Sequence, residues 1–167
     1  MDTEAVITNF YNVRDIPYRI PLSVGEEDHC CSGKSTLLKE QLEKLGYKVK
    51  FRVCSFKWSD MDLPEEVISV PHEDLSSHSY LEVLINGIWI IVDPTWDSGL
   101  KSIFTVNEWD GISNTEIAVK PIETFSTEKS SQIMANEDKQ SIIADLQANG
   151  AFYQAFNDWL QQIRVQF

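Results

Sequence analysis

Positive charge is scarce in this chain: 14 lysines and arginines stand against 26 aspartates and glutamates among 167 residues, a formal net charge of -12. Such a field repels nucleic acid and anionic lipid. The only basic concentration, Lys44, Lys48, Lys50, Arg52 and Lys57, is explained by alternation along a solvated strand face. Neither nucleic acid nor membrane is therefore expected as a partner. Long apolar runs are also missing, and the opening MDTEAVITNFYNV is acidic and amphipathic where a leader would be basic and then apolar, so a cytoplasmic home is expected. Cysteine is limited to Cys30, Cys31 and Cys54. An odd count with two neighbours makes a poor disulfide framework, and reduced thiols are expected. His29, His72 and His78 are the only histidines, and no CxxC or HxxxH spacing occurs; neither a metal nor a cofactor is expected. There is no internal repeat and no low-complexity linker.

The composition is that of a globular protein, 43% hydrophobic and 24% charged, and residues 1–167 suit a single domain. Val6, Phe10 and Val13 recur at helical spacing, which predicts a helix over 3–13. SGKSTLLKEQLEKL at 32–45 is rich in helix formers and is followed by Gly46 at the usual stop. Residues 47–53 alternate as a half-buried strand. An acidic loop spans 59–77, with one proline-started helical turn at 63–66. Ile88 to Val92 is continuously apolar, as in a strand covered on both faces. Short strands are expected near 103–106 and 116–120, with a turn at Asp110-Gly111. Asn136 is placed as the cap of a helix ending at Gly150, and Phe152, Phe156, Trp159, Leu160 and Ile163 line a last helix. Helices at the start, centre and end around a meander of strands predict an α+β fold, with an antiparallel sheet packed on the central helix and C-terminal helices over 136–165.

Within HSYLEVLINGIWIIVDPTWD, residues 78–97, the Asn86-Gly87 pair specifies a two-residue hairpin turn and so fixes a register. Ile85 then faces Ile88, Val83 faces Ile90 and Tyr80 faces Asp93. His78 and Asp93 become diagonal neighbours on one sheet face, with backbones roughly 7–8 Å apart. A carboxylate that accepts a proton from one ring nitrogen orients a histidine and stabilises its charged form. A surface histidine beside a turn-forming Asp93-Pro94 fits the same pattern.

Cys31 stands at the start of the central helix, where free N–H groups and the helix dipole favour a thiolate. Helical phase puts it in line with Leu38, Leu42 and Leu45, while Cys30 falls in line with Leu37, Gln41 and Lys44. Cys31 is thus the thiol aimed at the strands, and it meets His78 if the helix crosses the face that carries the aspartate. A cysteine that merely fills space under the helix satisfies the same phase.

These segments resemble the transglutaminase-like superfamily. The likeness rests on VRDIPY at 13–18, on CSGKSTLLKEQLEKLGY at 31–47 with Gly46 fifteen positions after the cysteine, and on His78, Tyr80, Glu82, Gly87, Trp89, Asp93, Pro94 and Thr95 in the hairpin. It covers roughly residues 5–97. The resemblance implies a papain-like α+β core with Cys31 as nucleophile, His78 as general base and acid, and Asp93 as its orienting group. It further implies acyl transfer or hydrolysis at the amide bond of a peptide, protein or small amide, with the Cys31 N–H as one oxyanion donor. A glycine commonly stands two residues before that nucleophile, whereas His29 stands here. His29 is a second candidate proton partner and, with Tyr80 and Trp96, a candidate for the substrate cleft. Two other readings accompany this one: a non-catalytic binding module on the same fold, and an acyl-CoA-dependent N-acetyltransferase, which a short chain without a basic phosphate site disfavours.

The run Gly33-Lys34-Ser35-Thr36 imitates a phosphate loop, but Asp28 occupies the position of that motif's first glycine and no strand precedes it. Nucleotide binding is not expected.

Overall fold

The computed structural model describes residues 2–166. Among these residues the α-helices and β-strands follow in the order α1 (Thr3–Arg14), α2 (Cys31–Lys44), β1 (Val49–Lys57), α3 (Glu65–Ile68), β2 (Leu75–Ile85), β3 (Ile88–Val92), α4 (Thr127–Ala135) and α5 (Lys139–Val165). The fold is α+β, with a three-stranded antiparallel sheet in the order β1-β2-β3. Among the described residues no helix is long and apolar enough to cross a membrane.

The hairpin register is the expected one, with Ile85 opposite Ile88, Val83 opposite Ile90 and Leu81 opposite Val92. Asn86 and Gly87 both take positive φ, at 49° and 81°, as a turn of this type demands. β1 and β2 both run further than the apolar pattern indicated. β1 runs on to Lys57 and β2 starts at Leu75, which places Cys54 directly opposite His78.

Two apolar clusters flank the sheet. Val6, Phe10 and Val13 of α1, Leu38 and Leu42 of α2, and Val49, Leu81, Val83, Ile90 and Val92 of the strands form one. Alternation puts Leu81 and Val83 on the face of β2 opposite His78 and Tyr80. The leucine stripe of α2 therefore packs on the other face, so the crossing on which a Cys31–His78 meeting was conditioned does not occur; Cys31 lines the His78 cavity from the first residue of the helix. The second cluster is aromatic, with Tyr18, Phe56, Trp58, Trp96, Phe152 and Phe156 at its centre.

Several sequence expectations give way here. β3 is the last strand of the sheet, with Ile88 63% exposed, and its outer edge meets an irregular stretch through Thr115 N–H to Ile91 O and Ile91 N–H to Asn114 Oδ1, both 2.8 Å. Residues 103–106 and 116–120 are irregular, and the segment around 122–125 instead pairs with the free edge of β1 through Ser55 N–H to Glu123 O and Ile122 N–H to Ser55 O, both 2.8 Å. The acidic 59–77 stretch is more than a surface loop, since Met61, Leu63, Val67 and Val70 pack on the aromatic cluster. Asn136 is not an N-cap; it closes α4, a helix the sequence reading did not contain. Asp138 caps α5 reciprocally with Ser141, and that helix continues through Gly150 for 27 residues. Its buried Phe152, Phe156 and Leu160 gain more from packing than one mid-helix glycine costs, about 1 kcal/mol.

α5 fastens the N-terminal loop. The Asn157 side chain both accepts from Ile20 N–H and donates to Ile20 O, each at 2.9 Å. Arg164 forks onto Asp97, at 2.8 and 2.9 Å, and donates to Tyr18 O. Forked guanidinium–carboxylate pairs are directional as well as strong, so residues 18–20 and 97 are held in one place against the helix.

Candidate active site

Where the pairing of β2 and β3 ends at Leu81 and Val92, the chain leaves the sheet at Asp93-Pro94. This departure lets the Asp93 carboxylate swing to the diagonal position, where Oδ2 accepts from His78 Nε2 at 2.8 Å. Both residues are buried, His78 at 3% and Asp93 at 0% exposure. A buried carboxylate needs donors, and this one has four: His78 and the Ala118 N–H on Oδ2, and the Thr95 N–H and hydroxyl on Oδ1. The Asp93 backbone is held in turn, its N–H by the Thr115 hydroxyl and its carbonyl by the Asn107 amide. With Nε2 engaged, Nδ1 is the ring nitrogen of His78 left for another partner.

Cys31 opens α2 and lines a small cavity of about 30 Å³ together with His78. Tyr18, Phe56, Trp58 and Trp96 wall it. Of the three cysteines only Cys31 is pushed toward thiolate. Its acidity comes from the adjacent Cys30 thiol, then from His78 and the Ser79 N–H, and it prevails over the opposing effect of burial to hold the thiol well below its ordinary range. The adjacent Cys31 thiol and then burial raise Cys30 well above its ordinary value, and burial pushes Cys54 up to about 12. Burial alone would lower His78, but Asp93 and Cys31 lift it to about 10. Burial opposes ionisation of Asp93 too, yet His78, Thr95 and Ala118 hold its carboxyl below the usual range. The three shifts point the same way, toward the ionised forms of Cys31, His78 and Asp93.

The remaining sequence candidates separate. Trp96 does wall the thiol's cavity, with its indole N–H on Ala118 O at 3.1 Å and its ring stacked on Phe104. Tyr80 lies along β2 beside His78, with ring centroids 6.1 Å apart, and is buried away from the cavity. His29 turns toward Glu27, at 3.3 Å, while its carbonyl accepts from Arg19 N–H. It does not line the cavity of Cys31.

The phosphate-loop mimic acquires a different meaning. Lys34 is 1% exposed, and its ammonium donates to Arg14 O, Ile16 O and Thr95 O at 2.8, 2.8 and 2.7 Å. Three protons meet three carbonyls, which ties the first turn of α2 to the α1 exit and to the loop that carries Asp93. Burial pushes this amine down to about 7. Gly33 packs on Asp28 so closely that a Cβ would fall 1.8 Å from Asp28 O. Ser35 donates to Ser79 O, at 3.3 Å, and pins the helix to β2.

Sequence reasoning did not find Lys34, Thr95, Ala118 or Ser79 as parts of this site. Thr95 stood in view beside Asp93 and Pro94; the Ala118 and Ser79 contributions are backbone groups and leave no residue-type signal. A larger cleft of about 520 Å³ lies alongside, between Val53, Ser77 and Ser79 of the strands, Ser32 of α2, and the α4–α5 region. Among the described residues no group of three His, Cys, Asp or Glu side chains is arranged to hold a metal ion. Comparison with protein families, with curated proteins and with solved structures gives no match to this chain.

Proposed function

We propose that this protein is a cysteine-dependent enzyme of transglutaminase-like, papain-related fold that transfers or hydrolyses the acyl group of an amide. The observation that carries this reading is the meeting of Cys31 and His78 in one cavity, with Asp93 at 2.8 Å behind the imidazole and Cys31 the one acidic thiol of three.

In the reaction, the Cys31 thiolate adds to the amide carbonyl and forms a C–S bond as the carbonyl electron pair moves onto oxygen. The N–H groups at the start of α2 stabilise that oxyanion. Collapse breaks the C–N bond, and the His78 imidazolium gives its proton to the leaving amine. Water or an amine then attacks the thioester, His78 takes the proton, and the thiolate is restored. Asp93 stays ionised throughout and keeps Nε2 protonated, so Nδ1 is the nitrogen that exchanges the proton.

Iodoacetamide at pH 6 tests the reading directly. Peptide mass spectrometry should find Cys31 alkylated far faster than Cys30 or Cys54, and His78→Ala should slow it and move its pH midpoint upward. Equal, slow modification at all three cysteines would refute it. Turnover of amide libraries by the intact protein, absent in Cys31→Ala, identifies the substrate.

A further inference from the structure

The cavity at Cys31 has about 30 Å³ of free space, room for about one water molecule, behind a wall of four aromatic rings. A scissile carbonyl can reach the sulfur, but no substrate side chain fits there. The neighbouring cleft has about 520 Å³, within the roughly 300–1,000 Å³ typical of ligand sites. The two spaces adjoin: Ser77 lines both, and Ser32, the residue after Cys31, lines the cleft.

We propose that this cleft binds the substrate of Cys31 and selects an extended apolar segment that carries a positive charge. The inference rests on the reading of Cys31 as a nucleophile and deepens it by naming a substrate class. Val53, Ile133, Met134 and Ile142 give the cleft an apolar wall for methylene or aliphatic groups. Its charged lining is Lys129, Glu137 and Asp145. Lys129 is directed over the Phe125 ring at 4.2 Å. Asp145 is already satisfied, by the Tyr153 hydroxyl and the Asn149 amide at 2.8 and 2.9 Å. Neither carboxylate is in an ion pair among the described residues, and Glu137 lacks the side-chain donors that Asp145 has. Glu137 is exposed at the rim of the cleft, where some desolvation and the neighbouring Asp28, Cys31 and Asp145 push its carboxyl up. A cation brought beside Glu137 relieves that crowding, whereas an anion adds to it.

Four haloacetamides of graded chemistry test this on the intact protein: iodoacetamide, N-hexyl-iodoacetamide, N-(6-aminohexyl)iodoacetamide and 6-(iodoacetamido)hexanoate. The rate of Cys31 alkylation at pH 7 is corrected for each reagent's rate with glutathione and divided by the iodoacetamide rate of the same protein. The hexyl reagent should exceed iodoacetamide by at least about tenfold, with the cationic one faster still and the anionic one slower than the neutral hexyl form. Glu137→Gln should bring the cationic and anionic rates within about twofold of each other. Ile142→Asp should erase the hexyl advantage; the wild-type reagent series carries the test should that variant not fold. Fast iodoacetamide labelling with no preference for chain or charge overturns the cleft assignment alone. Slow iodoacetamide labelling of Cys31 itself overturns the nucleophile reading, and this inference with it.

Discussion

The apolar cluster around Leu38 and Leu42 is largely aliphatic and comes from α1, α2 and the sheet. The cluster around Trp58 and Phe156 is aromatic, gathered from α5, from short turns and from loops. The first sets where α2, and so Cys31, begins. The second walls the cavity into which Cys31 and His78 project. Cys31, His78 and Asp93 stand at the junction, with Cys31 anchored in one region and its surroundings built by the other. Rigid periodic packing suits a helix start that must not drift. Large rings on loops suit a wall, because each covers much area at the cost of only two side-chain torsions.

The largest effect should come from Phe156→Ala, which removes a fully buried ring in contact with Tyr18 and Trp58 and should cost about 3–5 kcal/mol; Leu38→Ala in the other cluster should cost about 2–5 kcal/mol. Urea unfolding of each decides whether the clusters form one cooperative unit: a single transition in both variants supports this, and two transitions would divide the molecule at the site. Lys34→Met comes next. It leaves three carbonyls without their donor, for a loss of about 2–3 kcal/mol in urea unfolding, near the upper range for one unsatisfied buried group.

Asp93→Asn should act mainly on chemistry. Without the carboxylate the imidazolium is less favoured, the Cys31 thiolate loses its partner, and alkylation at pH 6 should fall by about tenfold for each pH unit that the thiol rises. The same variant has a signed effect on stability. Because folding raises His78 from 6.5 to about 10, the stabilisation it supplies is complete below about pH 6.5 and disappears as the pH climbs through about 10. The stability gap between wild type and Asp93→Asn should therefore narrow over that range, as read from urea midpoints at a series of pH values. The smallest effect belongs to Ile88→Thr at the exposed start of β3, which should stay within about 0.5 kcal/mol of wild type; a larger loss would show that this position is covered in solution.

Legibility followed the same division. The aliphatic region could be read because its residues recur at helical or strand periods: Val6, Phe10 and Val13 on α1, Leu38 and Leu42 on α2, and the Asn86-Gly87 register on the hairpin. The aromatic region could be read only where Phe152, Phe156 and Leu160 recur at helical spacing on α5. Residues 98–125 follow no period, since their work is to supply single groups, such as the Ala118 N–H, the Thr115 hydroxyl and the Asn107 amide, to one carboxylate and its backbone. α4 was missed because its short, mostly polar sequence, TEKSSQIMA, carries a weak apolar stripe. Gly150 misled because local propensity yields where three large side chains of one helix are buried.

From the sequence alone came the phase that puts Cys31 on the buried stripe of its helix, the turn that makes His78 and Asp93 diagonal neighbours, and the α+β order of elements. Each depends on chain geometry within a few residues and so survives without tertiary knowledge. Only the folded chain decided that Lys34 binds three backbone carbonyls instead of a phosphate, that His29 faces Glu27, and that a 520 Å³ cleft opens beside a 30 Å³ cavity. Those properties depend on burial, on backbone donors and on groups brought together from distant parts of the chain, such as Thr95 on Lys34 and Ala118 on Asp93, and local periodicity encodes none of them.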